Sequence, residues 1–190
     1  MNKNRLEAFS DGVIAIVITI MVFDIKAPSD SSWVGLAEVA PSILTYVMSF
    51  LYLGIYWNNH HHMLQVTDRI SGTVLWANMH LLFWLTLFPP STSWMRTSNF
   101  ASLPTATYGV VLLFAAAAYR LLESSKVKLQ GENSRLKEAI GKNWKGNVSL
   151  GLYFSAVALA NFYPLAAVVM YSLIAVAWAV PDRRIERLFK

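Results

Sequence analysis

A stretch near the start of the chain, residues 13–23, restricts the fold more than any other. It is almost wholly apolar, and Thr19 is its only polar side chain. Charged and polar residues lie on the turns just before it: Arg5, Glu7, Ser10 and Asp11. Such a run belongs in hydrocarbon, where ionisable groups at a helix end are costly unless they are paired or solvated. The sequence therefore predicts a membrane-spanning first helix whose polar start has a specific role.

Helical spacing gives this first helix two different faces. At the α-helical turn angle one regular apolar stripe forms, made of Phe9, Val13, Ile16, Ile20 and Phe23. Thr19 lies beside this stripe, and Asp11 lies about 140° from Ile16 around the helix. The apolar face and the face that contains Asp11 are therefore expected to have different functions.

The composition indicates an integral membrane protein of one domain. Of the 190 residues, 55% are hydrophobic and only 14% are charged, and the mean hydropathy is +0.42. The absence of cysteine excludes disulfides, cysteine-ligated zinc, iron–sulfur clusters and thiol catalysis. No nucleophile–base constellation or glycine-rich phosphate loop appears, so neither an enzyme nor a cofactor is expected. We interpret the net charge of +5 as the result of basic residues in cytoplasmic loops, and not as an indication of nucleic-acid binding.

The apolar runs predict an all-α, polytopic membrane protein with six transmembrane helices. A span needs about 20 mostly apolar residues. We predict a cytoplasmic amphipathic segment over 123–145, with Leu129, Leu136 and Ile140 on its apolar side. The Asn161–Pro164 turn signal divides the last apolar stretch in two. The predicted spans are 6–25, 36–57, 70–88, 103–122, 147–162 and 164–180.

Two prolines, Pro89 and Pro90, are predicted to end the third span with a helix break on the outer side. A polar pore mouth formed by Ser91 and Thr92 is the alternative for this stretch. Pro41 is expected in the first turns of the second span, where its missing N–H is tolerated. Several tryptophans, Trp57 among them, fall near span ends and are read as an interfacial belt.

The distribution of basic residues predicts that both termini are cytoplasmic. With the N-terminus inside, fourteen of the sixteen Lys and Arg residues lie on the cytoplasmic side. Only Lys26 and Arg96 then lie outside. Because the 120–145 segment and the C-terminal tail are both basic, the number of spans is expected to be even.

The start of the first helix resembles a known family. Arg5-x-x-x-Phe9-Ser10-Asp11-Gly12, followed by a β-branched apolar helix, is similar to the first helix of bacterial relatives of the endolysosomal potassium channel, the transmembrane protein 175 family. The chain length and the position of the motif agree with it. Eukaryotic members carry two six-helix units, so the resemblance implies that this single unit assembles with copies of itself, as a homotetramer in the cell membrane.

The resemblance also implies how ions would pass. No Thr-Val-Gly-Tyr-Gly filter loop and no ring of Asp or Glu inside a span is present. In the family, isoleucine or leucine rings on the first helix form the constriction, which points to Ile16 and Ile20. Phe23 is bulkier than the leucine expected at the outermost ring. Thr19 matches a threonine of the family's first helix and is a candidate contributor to cation preference.

The residues alone leave other interpretations open. Without the resemblance, lipid-facing or core packing is the favoured interpretation of the isoleucines.

The leading hypothesis is a potassium-permeable cation channel, with the permeant ion as its only ligand. The alternatives are a small secondary transporter and a non-conducting membrane scaffold whose isoleucine stripe is an oligomer seam.

Polar residues elsewhere suggest partners for the start of the first helix. We predict a buried polar network of Arg5, Ser10 and Asp11 with Asn58, Asn78 and His80. The resemblance implies that the motif residues, Phe9 included, have a structural role and stabilise the packing behind the pore-lining helix. Asn78 and His80 point about 200° apart on one helix, so at most one of them faces the first helix directly.

Three consecutive histidines, His60, His61 and His62, invite a metal-site interpretation. Adjacent helical residues diverge by about 100°, so one or two at most share an ion. The favoured interpretation of the four histidines of the chain is that they are interfacial, with His80 in the polar network, and no metal is expected. A pH-sensing role is the other alternative.

Overall fold

The computed structural model describes residues 2–65, 67, 69–131 and 144–179. All regular structure in these ranges is α-helical, which confirms the predicted class. The described helices are α1 (Lys3–Val22), α2 (Trp33–Gln65), α3 (Gly72–Thr86), α4 (Phe88–Thr97), α5 (Ser102–Gln130), α6 (Trp144–Ala160) and α7 (Pro164–Ala179).

Helix α1 packs on α2 and α3 through one face only. The Asn2 side chain accepts a hydrogen bond from the Asn4 backbone N–H and so caps the helix. The buried residues recur at spacings of four, four, three and four: Leu6, Ser10, Ile14, Val17 and Met21. This periodicity is that of one helix face, and it leaves the predicted stripe, apart from the partly buried Val13, outside the core.

Helix α2 is longer than the predicted span 36–57. Its 33 residues extend about 50 Å at the usual helical rise, and it includes all three histidines of the 60–62 run. Pro41 lies well inside the helix, which corrects the prediction that it falls in the first turns. The Thr45 hydroxyl donates to the Pro41 carbonyl at 2.9 Å.

The helix break predicted at Pro89–Pro90 lies slightly earlier, because α3 ends at Thr86 and, after Leu87, the chain continues as α4, which begins at Phe88. The two prolines occupy the first positions of α4, where a missing N–H breaks no helical bond. They therefore lie in the first turn of α4, a helix that was not predicted. Phe88 and Met95 are fully buried and anchor α4 in the core.

Helix α5 continues to Gln130, well past the predicted span end at 122. Glu123 is bonded to Arg120 at 2.8 Å and Lys126 is fully buried, so these charges do not interrupt the helix. The first part of the predicted amphipathic segment 123–145 is thus an extension of α5. Leu136 and Ile140 lie outside the described residues.

Helix α5 packs on α3 as well as on α6, and α6 packs on α7. Helix α6 ends at Ala160 and α7 begins at Pro164, so the predicted turn is present. At Gly109 the backbone of α5 comes so close to Tyr171 of α7 that an added Cβ would lie 1.9 Å from the phenol oxygen. This close approach requires glycine.

The described helices differ in their capacity to cross a bilayer. Two of them, α2 and α5, are long and apolar enough by length and composition, and α7 is a shorter apolar helix. The remaining predicted spans do not meet this test.

Candidate pore helix and its polar anchor

The predicted apolar stripe of α1 lies mostly on the exposed surface of the chain. Ile16 is 60% exposed, Ile20 52% and Phe23 80%, and Phe9 is half exposed. These are high values for large apolar side chains on a helix whose other face is buried. Thr19 is also exposed, and its hydroxyl donates to the Ala15 carbonyl at 2.7 Å. An apolar surface of this kind requires lipid, another protein surface or a narrow dewetted passage beside it.

A buried hydrogen-bonded chain fixes the opposite face of α1 to its neighbours. Asn78 of α3 donates through Nδ2 to Ser10 Oγ at 3.0 Å. Its Oδ1 lies 2.7 Å from His60 Nε2 of α2. All three side chains are 0% exposed. One asparagine therefore connects α1, α3 and α2, and we call Ser10, Asn78 and His60 the polar anchor.

The direction of each bond in the polar anchor follows from its neighbours. Ser10 Oγ donates its single proton to the Leu6 carbonyl at 2.8 Å, so it accepts from Asn78. With its amide nitrogen turned to Ser10, Asn78 presents an acceptor oxygen to His60. His60 Nε2 must then carry a proton and donate, which fixes the tautomer of the neutral ring.

A second contact near the start of α1 lies at the protein surface. Trp57 of α2 donates through Nε1 to Asp11 Oδ1 at 3.0 Å. The Trp57 ring stacks on His61, with centroids 5.9 Å apart and planes 16° apart. His61 Nδ1 in turn lies 2.9 Å from Glu7 Oε1. These contacts place Glu7 and Asp11, one helical turn apart, against the same part of α2.

The other predicted network residues lie apart from the polar anchor. His80 is on a different face of α3, where its Nε2 accepts from Trp84 Nε1 at 2.9 Å, so the structure corrects its grouping with Ser10. Arg5 and Phe9 are exposed, and Asn58 is half buried. The divergence of residues 78 and 80 around one helix explains why only Asn78 reaches α1.

The residues missed from the sequence are His60 and Trp57. A buried stripe runs along α2 through Tyr52, Tyr56, His60 and Leu64, each one turn after the last. This spacing distinguishes His60 from its two neighbours and was available in the sequence. Trp57, interpreted as a belt residue, also serves as a hydrogen-bond donor to Asp11.

The hydroxyls of Ser91 and Thr92, the alternative pore mouth, are buried in the interior of the chain. Ser91 donates to the Leu87 carbonyl at 2.6 Å, and Thr92 Oγ1 lies 2.8 Å from Ser49 Oγ. Ser49 Oγ also lies 3.0 Å from the Tyr108 hydroxyl. These groups therefore join α4, α2 and α5 and do not form an open polar surface.

The three consecutive histidines point in different directions. His60 belongs to the polar anchor and His61 contacts Glu7, as helical divergence requires. Over residues 2–65, 67, 69–131 and 144–179 there is no group of three or more His, Asp or Glu side chains that could hold a metal ion.

Comparison with known proteins assigns the chain to a family. The family model described as "Endosomal/lysosomal potassium channel TMEM175" matches residues 5–89. A potassium channel of Chryseobacterium sp. strain P1-3 is 51% identical over all 190 residues, which cover 99% of that protein.

Two further similarities extend the comparison. The crystal structure of a lysosomal potassium-selective channel TMEM175 homologue from Chamaesiphon minutus superposes with a TM-score of 0.78, at 28% identity, over 96% of this chain and 97% of that one. The human endosomal/lysosomal proton channel TMEM175 is 26% identical over 189 residues, which span 36% of its length. The all-helical fold, the full-length bacterial relative and the matching channel structure show that this chain is a member of the TMEM175 family of membrane channels.

Proposed function

We propose that this protein is a potassium-permeable cation channel of the cell membrane, formed by four copies with α1 of each copy beside a central axis. The observation that carries the proposal is the exposed apolar stripe of α1, opposite a face that is firmly packed in the protomer. The names of the full-length relatives supply the permeant ion.

The proposed constriction consists of rings of Ile16 and Ile20, with Phe23 as the outermost ring. Isoleucine side chains from four copies would narrow the passage and dewet it, so that ions pass only when the rings are wide enough. Thr19, which is also exposed, adds a hydroxyl beside the rings. The polar anchor would hold the rings in position, because Ser10 fixes the rotation of α1 about its own axis.

The proposed topology has six crossing helices and cytoplasmic termini. The crossing helices would be α1, α2, α3, α5, α6 and α7, matching the predicted spans in order. Helix α4 has 10 residues, too few to cross a hydrocarbon core of about 30 Å, and would lie on the outer side. The basic residues near both ends of the chain support this orientation.

We assign potassium, and not the proton, as the permeant ion because of how much of each relative this chain matches. The bacterial relative named as a potassium channel matches the whole chain, as does the structure of a potassium-selective homologue. In the relatives named as proton channels, the region that matches spans only 25% of the zebrafish protein and 36% of the human one.

Ion flux into liposomes that hold the purified protein tests the proposal. Wild-type protein is expected to pass potassium faster than sodium. Ile16→Asn is expected to raise total flux or reduce the preference, since a polar side chain hydrates the ring. Leu173→Asn is the matched control, an exposed apolar position on α7, and is expected to leave flux and preference unchanged.

The outcomes distinguish the hypotheses. No flux of either ion from protein shown to be folded and assembled would contradict the channel function. Dissociation of the oligomer by Ile16→Asn would instead favour a scaffold with an isoleucine seam. Slow, saturating wild-type flux that Ile16→Asn leaves without a leak would favour a transporter.

A further inference from the structure

The charged side chains of α1 are sorted between two sides of the helix. Lys3, Glu7 and Asp11 each bond a residue of α2. Arg5, by contrast, is exposed, and no ion pair among the residues that the structure describes includes it. Its charge therefore serves none of the contacts that hold α1 to α2.

Helical geometry places Arg5 on the side of α1 that carries the proposed pore stripe. Ile16 follows Arg5 by three turns and about 20°, and Phe9 lies about 40° from Arg5 around the helix. Glu7 lies about 160° from Arg5, and Asp11 about 120°. Arg5 thus continues the exposed stripe towards the N-terminus, while both carboxylates face the α2 side.

We propose that Arg5 forms a cationic ring at the cytoplasmic mouth of the pore, and that this ring limits the entry of potassium from that side. The inference rests on the proposed channel function, because copies of α1 around one axis are needed to bring the guanidinium groups together. At the usual helical rise the Arg5 ring lies about 16 Å from the Ile16 ring. It is therefore outside the proposed constriction, at the wet end of the passage.

The ring would act on potassium through its electric field. Arginine carries its positive charge at any working pH, so each copy contributes one charge. Like charge at a pore mouth lowers the local concentration of cations and the rate at which they enter. The field of exposed charges extends over about 10 Å in 0.1 M salt but only about 3 Å in 1 M salt. The barrier should therefore be strong in dilute salt and negligible in concentrated salt.

The barrier would affect one direction of flow more than the other. It reduces the supply of potassium at the cytoplasmic mouth, so it limits outward current more than inward current. Arg5 would thus make the channel rectify, with potassium passing into the cell more easily than out of it.

Single-channel recording in planar lipid bilayers tests the ring. The unitary potassium conductance would be measured in about 0.05 M and about 1 M potassium chloride. In dilute salt we expect Arg5→Gln to raise the conductance by about two- to fourfold and to reduce rectification. Arg5→Lys keeps the charge and should match the wild type, and all three should agree in 1 M salt. Lys128→Gln is the matched control, since it removes an exposed charge from α5, and it should leave the conductance unchanged.

A change of charge made within a conducting channel separates the ring from a purely structural role of Arg5. The chain contains no cysteine, so Arg5→Cys offers a single target to a thiol reagent. A positively charged thiosulfonate should lower the conductance of this variant towards the wild-type value, and a negatively charged one should raise it. A structural role predicts no dependence on the sign of the added charge.

The outcomes separate this inference from the function on which it rests. Equal conductance of wild type and Arg5→Gln in dilute salt would overturn the ring. Loss of assembly in both Arg5→Gln and Arg5→Cys would overturn it as well, because Arg5 would then be a structural residue. The absence of current from assembled wild-type protein would instead refute the channel function itself.

Discussion

Replacement of Asn78 by leucine tests whether the polar anchor holds α1 in place. Leucine has the same branching and the same number of side-chain heavy atoms as asparagine, although its methyl groups are bulkier, so the intended effect is the loss of the two bonds at 3.0 and 2.7 Å. The His60 Nε2–H is then buried without an acceptor, while Ser10 still donates to the Leu6 carbonyl. Because one unsatisfied buried group costs about 1–3 kcal/mol, and Ser10 loses a donor as well, we expect the unfolding free energy to fall by about 2–4 kcal/mol.

The assay is denaturant unfolding of the purified protein in micelles, with His80→Leu as the matched control. His80 lies two residues along the same helix and bonds only Trp84 at an exposed site, so its replacement should cost less than about 1 kcal/mol. The double variant Asn78→Leu with His60→Leu should recover part of the loss, because the orphaned donor is removed with its partner. Equal effects of Asn78→Leu and His80→Leu would refute the reasoning.

Two other substitutions follow from single contacts. Gly109→Ala places a methyl group into the Tyr171 phenol and should lower the unfolding free energy by about 1–3 kcal/mol in the same assay. Gly151→Ala is the control, because its added methyl group meets open space, and it should not lower the unfolding free energy. Equal effects of the two variants would contradict the close approach of Gly109 and Tyr171. Trp57→Phe keeps an aromatic ring but removes the donor to Asp11, and should cost about 1 kcal/mol at this partly exposed site. An unchanged unfolding free energy would show that this bond adds nothing.

The first helix was well described by its sequence, because its two faces follow from helical spacing alone. The stripe of Ile16 and Ile20 is exposed and the face with Ser10 is buried, as 3.6-residue periodicity requires. Spacing also limited Asn78 and His80 to one contact with α1. What it left open was which of the two makes that contact, since the choice depends on the rotation of α3 against α1.

The errors arose where tertiary packing overrides a local signal. Two prolines usually end a helix, and the preceding helix does end just before them, but here Phe88 and Met95 are buried and hold a second helix that begins at Phe88 and has the prolines in its first turn. The charged residues that begin at Glu123 were expected to end the fourth span at 122, but α5 continues past them, with Lys126 buried inside the protein. Neither outcome is encoded within a short window of sequence, because the neighbouring helices supply the packing.

Thiol accessibility tests the central claim, that the exposed stripe of α1 lines a pore, most directly. The chain contains no cysteine, so a single introduced cysteine is the only target for a thiol reagent. Potassium flux into liposomes would be measured before and after a small charged thiol reagent is added to Ile16→Cys, Ile20→Cys and the control Leu173→Cys. The account predicts that modification inhibits flux through the two α1 variants and leaves the α7 control unchanged. Undiminished flux through Ile16→Cys and Ile20→Cys, with modification verified by mass, would contradict it.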